Sequence, residues 1–181
     1  MVRQPAVAGS FYPANPEELT AQIDSFLTTE YESKNVKGLI VPHAGYVYSG
    51  AVAGEVFAAA EIPEQVILIG PNHHGAGADM AVSGADSWAT PLGDIPVATA
   101  LRDQIVNDIP PLSIDDQAHK YEHSLEVMLP FLLRRQPKLQ IVPIALGQLS
   151  LADCLHLGSA LAQTIKNWDQ KVLLLASTDM N

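Results

Sequence analysis

Four short apolar runs constrain this chain more than any other feature: Leu39-Ile40-Val41, Val66-Ile67-Leu68-Ile69, Ile141-Val142-Pro143-Ile144 and Val172-Leu173-Leu174-Leu175. None alternates with polar residues, so each reads as a strand covered on both faces, as in the centre of an α/β sheet. Pro143 is awkward there, because it donates no ladder hydrogen bond. Helical segments separate the runs. Asn15 is placed to cap a helix, Pro16 suits its first turn, and Glu18 completes a variant of the capping box. Leu19, Ile23, Phe26 and Leu27 then share a face. Residues 51–60 are alanine-rich and read as a tightly packed helix. The stretch 121–135 places Leu125, Met128, Leu129 and Leu132 on one side, with Pro130 as an expected kink. Ser150 and Asp153 start a helix running to about Lys166. Residues 80–97 differ, with short runs, Trp88 and turn chemistry at Thr90-Pro91-Leu92-Gly93-Asp94, and they read as a hairpin insertion. The alternation predicts one domain over residues 1–181, a three-layer α/β/α sandwich around a mainly parallel or mixed sheet.

Composition narrows the function classes. The 181 residues carry 10 Lys+Arg against 20 Asp+Glu, a net charge of −10, which argues against a nucleic-acid partner. No apolar run approaches the roughly 18 residues that a membrane span needs, so no membrane partner is expected. A 48% hydrophobic content excludes a disordered chain. Cys154 is the single cysteine, so no internal disulfide forms, and a reducing, cytoplasmic setting is expected. Cys154 itself reads as a buried thiol, and His156 beside it as structural.

Ligands of open α/β sheets bind beyond the carboxyl ends of the strands. Beyond the first run stands Pro42-His43-Ala44-Gly45-Tyr46, and beyond the second Gly70-Pro71-Asn72-His73-His74-Gly75. Gly147-Gln148 follows the third and Ser177-Thr178-Asp179 the fourth. Three histidines and one carboxylate thus gather at one edge. Neutral imidazole is a good ligand for zinc, copper or iron, and two histidines with a carboxylate leave metal positions open. The competing reading makes His43 and His73 loop residues that hold turns by hydrogen bonds. Adjacent side chains at a strand end diverge, so His74 reads either as supporting the metal ligands from behind or as facing substrate. Asn72 and Tyr46 join it as expected pocket residues. Tyr46 and Tyr48 could equally pack beneath the loop.

A second polar cluster comprises Asp115, Asp116, His119, Glu122, His123 and Glu126. On a helix, Glu122 shares a face with Glu126 and His119 with His123. Glu122, His123 and Asp179 are expected to line the cleft as candidates for acid, base or substrate clamp, with a solvated helix start an equal reading for Glu122 and His123. Asp115, Asp116 and Glu126 read as a solvated helix start, favoured by the dipole.

With these residues in place, the chain resembles the Memo family, also called AmmeMemoRadiSam system protein B. The matching stretches are AVAGSFYPANPEEL, VPHAGYVYSG, ILIGPNHHG, WATPLGDIPV, HKYEHSLEVMLPFL, IVPIALGQ and LLLASTDMN. The resemblance implies a fold similar to class III extradiol (LigB-like) dioxygenases, with His43 and His73 as metal ligands. It implies iron(II), with copper also known in the family and zinc open. It also implies a redox- or oxygen-linked role and a functional link to a radical S-adenosylmethionine protein. In the family a histidine directly follows the Ser-x-Asp element, and a third ligand lies further on. This chain stops at Asn181, so the expectation is a truncated or short form, incomplete at the C-terminus, without catechol ring opening. Its last strand is expected to leave apolar surface that a second copy of the chain could cover. Three functions follow: a metal-binding, redox-linked domain; a non-catalytic module holding a small molecule or peptide in the cleft; and a zinc-dependent hydrolase.

Overall fold

A computed structural model of the chain describes residues 1–27 and 32–179. Met180 and Asn181, which end the last matching stretch, lie outside the described residues. All four apolar runs are strands. The main sheet has the order β2 (Gly38–Val41), β9 (Val172–Ser177), β3 (Gln65–Pro71), β8 (Gln140–Leu146), β4 (Met80–Val82) and β7 (Ser113–Ile114), labels following chain order. The first four run parallel, β4 runs antiparallel to β8, and β7 runs parallel to β4. A second sheet joins β1 (Val2–Arg3) to the hairpin of β5 (Ser87–Thr90) and β6 (Gly93–Pro96). The predicted insertion is therefore a hairpin, but β4 leaves it for the main sheet.

Successive residues of a strand face opposite sides, and the core divides accordingly. Val66 and Leu68 of β3, with Val41, Ile141, Leu173 and Leu175, meet α1 (Pro16–Phe26), α2 (Tyr46–Ala58) and α4 (Leu129–Arg135). Ile67, Val142 and Ile144 on the other face meet α3 (Thr99–Asp108) and α5 (Leu151–Asn167). The result is the three-layer sandwich. Full burial of one such Leu or Ile contributes roughly 1.5–3 kcal/mol.

Local chemistry explains the helix limits. Asn15 accepts from the N–H groups of Glu17 and Glu18 and so caps α1. Ser150 and Asp153 form a reciprocal capping box on α5. α1 and α2 approach closely because Gly50 and Gly54 offer no side chain. A Cβ on Gly54 would collide with the Phe26 backbone, and one on Gly50 with the Phe26 ring.

Several expectations need correction. β2 is an edge strand and Ile40 is 61% exposed, so the first run is not covered on both faces. β9, by contrast, lies between β2 and β3, so the last strand is internal rather than an open rim. Pro143 is accommodated within β8 because the antiparallel ladder with β4 ends at the Val82–Ile144 pair. Ser83 N–H still donates to the Pro143 carbonyl at 3.0 Å. The missing donor on Pro143 thus faces a chain that has already left the strand. Residues 121–135 are not one helix. Turns precede a 3-10 turn at Glu126–Met128, and Pro130 sits in the opening turn of α4. Cys154 and His156 lie exposed on α5, so the thiol is not buried.

Candidate metal centre

Because β2, β9 and β3 are parallel neighbours, their carboxyl ends lie side by side. Ser177 ends β9 directly opposite Val41, two residues before His43. His73 follows β3 on the other side. Gly70 near the end of β3 lets the 122–125 segment close over it, since a Cβ there would strike Leu125 and Ser124. That segment delivers His123 to the same place. The His43, His73 and His123 rings have centroids 4.7–5.7 Å apart. One nitrogen from each falls within 4.8 Å of the other two.

Each ring is held. The His43 backbone N–H donates to Asp179 Oδ1 at 2.7 Å, and its Nδ1 lies 2.8 Å from Ser177 Oγ. Its Nε2 stands 3.7 Å from Asp179 Oδ2. His73 donates its backbone N–H to Glu122 Oε2 at 2.6 Å, and its Nδ1 meets Glu122 Oε1 at 2.8 Å. The backbone N–H groups of His123 and Ser124 both donate to Glu122 Oε1 at 2.9 Å. Burial pushes the Glu122 carboxyl up, but bonds from the His73 ring, Ser124 and the His73 backbone outweigh it and bring the pKa down to about 2. The group is therefore an acceptor-only carboxylate, and it fixes Nδ1–H on His73. Burial is also the main force lowering the pKa values of His43 and His123, against the opposing pull of Asp179 on the former and Glu122 on the latter. Both rings are thereby kept in the neutral form that ligates metals.

The other sequence candidates fall outside this cluster. His74 is exposed and meets the Tyr121 ring edge-on at 6.4 Å. Asn72 Nδ2 donates to the Ala76 carbonyl at 2.7 Å and closes its own loop. Tyr46 is 3% exposed and donates its hydroxyl to Val127 O, so it supports the His43 loop from beneath, while Tyr48 is 85% exposed. His119 is not part of the cluster and is buried against Trp88. Asp115 accepts from Ala78 N–H and Asp116 from Gly84 N–H, each pinning a loop. Glu126 is not a solvated residue. It is fully buried and accepts from Arg3, the Ala6 and Val7 N–H groups and the Tyr12 hydroxyl. His123 was expected to line the cleft as an acid–base candidate, but not as a third imidazole beside His43 and His73, since a helical reading grouped it with His119.

The α/β sandwich thus carries, at the carboxyl edge of its sheet, three histidines placed where they could hold a metal ion, His43 and His73 from strand ends and His123 from the 122–125 segment. The comparisons with known proteins agree on the family. A model for the Memo-like protein family matches residues 3–181. A MEMO1 family protein of Aquifex aeolicus is 42% identical over 99% of this chain and 67% of its own length. Relatives of the same name from Methanosarcina barkeri and Archaeoglobus fulgidus are each 41% identical, over 98% and 99% of this chain. The chain belongs to the Memo family, and spans about two thirds of the length of these relatives.

Proposed function

We propose that this domain binds one divalent metal, iron(II) in the first place, through His43, His73 and His123, with Asp179 at the rim. The observation that carries this reading is the mutual approach of three imidazole nitrogens within 4.8 Å. The donor chemistry fits, because two of the rings are driven toward neutrality and Glu122 holds the third by its Nδ1. Imidazole with a nearby carboxylate is a donor set of the non-haem iron type, and iron held there would supply oxygen- or redox-linked chemistry. Three imidazoles alone also suit zinc, which makes zinc and copper the competitors. Glu122 already accepts four N–H groups, so it acts as a support rather than as an acid or base. With His123 on the metal and Asp179 Oδ1 taken by the His43 N–H, Asp179 Oδ2 is the group left to meet a small molecule in the cleft. The exposed thiol of Cys154 suits a reducing, cytoplasmic setting.

Anaerobic titration calorimetry of the metal-free chain with iron(II) tests this reading, with zinc and copper as competitors. One ion should bind per chain. His43→Ala and His73→Ala should abolish stoichiometric binding, His123→Ala should weaken it at least about tenfold, and His74→Ala should leave it nearly unchanged. Retention of full affinity in both His43→Ala and His73→Ala would defeat the assignment.

A further inference from the structure

We infer that Ser177, backed by Ser124, is a positioning residue that fixes His43 as the Nδ1–H tautomer and leaves its Nε2 lone pair free. The purpose of this lock rests on the metal-binding reading above; its geometry does not. Ser177 Oγ lies 2.5 Å from the Ser124 carbonyl oxygen. A carbonyl can only accept, so the single hydroxyl proton of Ser177 occupies that bond. The same Oγ lies 2.8 Å from His43 Nδ1. Having no second proton to give, it must accept there, and Nδ1 must carry the hydrogen. In the neutral ring the lone pair then belongs to Nε2.

The lock is needed because Asp179 favours the opposite tautomer. Its Oδ2 faces Nε2 at 3.7 Å, too far for a hydrogen bond but close enough to attract a proton onto that nitrogen. A hydrogen on Nε2 would occupy the lone pair a metal requires. Ser177 decides between the two. It is 3% exposed, His43 is 4% exposed and Ser124 is fully buried, so bulk water does not compete for the contact.

Ser124 is itself immobilised. Its Oγ donates to the Pro71 carbonyl at 2.8 Å and its N–H to Glu122 Oε1 at 2.9 Å. The same Glu122 oxygen receives Nδ1–H of His73. Two imidazoles arriving from different strands therefore have their tautomers set through one three-residue segment, 122–124. Glu122 acts on His73 directly, and Ser124 acts on His43 through Ser177.

The test reads tautomers in the metal-free protein. Two-bond proton–nitrogen correlation spectra of the chain with ¹⁵N-labelled histidine rings, at mildly alkaline pH, assign the protonated nitrogen of each ring. In the parent chain His43 should show Nδ1–H. In Ser177→Ala it should shift largely to Nε2–H while His73 keeps Nδ1–H, and Ser177→Thr should restore the parent pattern. Zinc and iron(II) affinity should fall about 10- to 100-fold in the alanine variant, the usual range for losing an outer-shell partner, and recover with threonine. Nε2–H on His43 in the parent, a measurement that needs no variant, would overturn the inference. So would a folded Ser177→Ala whose His43 tautomer is unchanged. Nδ1–H in a parent chain that binds no metal would uphold the lock and overturn only the metal-binding reading.

Discussion

His119 offers a quantitative test of how burial governs the chemistry of this chain. The ring is fully buried, and among the described residues neither of its nitrogens has a hydrogen-bond partner. It meets the Trp88 ring edge-on at 5.6 Å. Burial lowers its pKa from 6.5 to about 4; Asp116, a weak approach to the Ala81 backbone and Asp115 pull it up, and Arg3 pushes it further down. In the unfolded chain the same ring takes up a proton near 6.5. Between pH 6.5 and 4 the unfolded state therefore binds more protons, and folding stability falls as the solution is acidified. Above 6.5 the group contributes nothing to the pH dependence, and below about 4 its effect is complete. The gap from 6.5 to about 4, at about 1.36 kcal/mol per pH unit, is worth about 3 kcal/mol. His119→Phe removes the ionisable ring and keeps an aromatic neighbour for Trp88. Urea unfolding of both chains at a series of pH values from 7 to 4 isolates the effect. His43 and His123, also lowered by burial, titrate in both chains and cancel in the difference. We expect the variant to gain about 3 kcal/mol on the parent across that interval. Parallel stability curves would show that His119 is protonated without cost and would refute the reasoning.

Other perturbations follow from single contacts. Glu126→Gln should destabilise by about 3 to 5 kcal/mol, because it strands the buried Arg3 guanidinium; urea midpoints and faster proteolysis of the first dozen residues check it. Glu122→Gln should lower metal affinity about 10- to 100-fold by presenting an amide where His73, His123 and Ser124 all donate, read by competition with a zinc chelator. Gly54→Ala should cost about 1 to 3 kcal/mol in thermal or urea unfolding, since the new methyl meets the Phe26 backbone. Unchanged stability would mean that α1 and α2 can part freely.

The strands were legible because their signal is local. A run such as Val66-Ile67-Leu68-Ile69 can satisfy both of its faces only inside a covered sheet. His43 and His73 were legible for the same reason, each standing directly beyond such a run. What the sequence withheld depends on order in space. Nothing local in Leu39-Ile40-Val41 says that it becomes the sheet edge. α3 was not anticipated, because only Leu101 and Ile105 of its ten residues are buried and no side chain caps its start. The 115–125 segment misled by carrying acids and histidines at helical spacing. Its conformation is dictated by distant partners: Glu122 answers to His73, Glu126 to Arg3, and Asp115 to Ala78. Separating His123 from His119 needed those contacts, since helical spacing alone paired them.

The position of β9 bears on how the protein is made. Synthesis delivers β2 first and β3 soon after, yet the two never touch in the sheet, because β9 occupies the place between them. Until residues 172–177 have left the ribosome, both strands present open rows of backbone donors and acceptors toward one another's side. A nascent chain in that state carries two adjacent apolar edges, the kind that pairs with a wrong strand or with another chain. The interval is most of the length of the domain, so the sheet closes only as a late event over large sequence separations, which slows folding. His43 and His73 come within reach of Ser177 and Asp179 only at that same moment. The three-histidine cluster is thus brought together only when the sheet closes, and its assembly reports that closure.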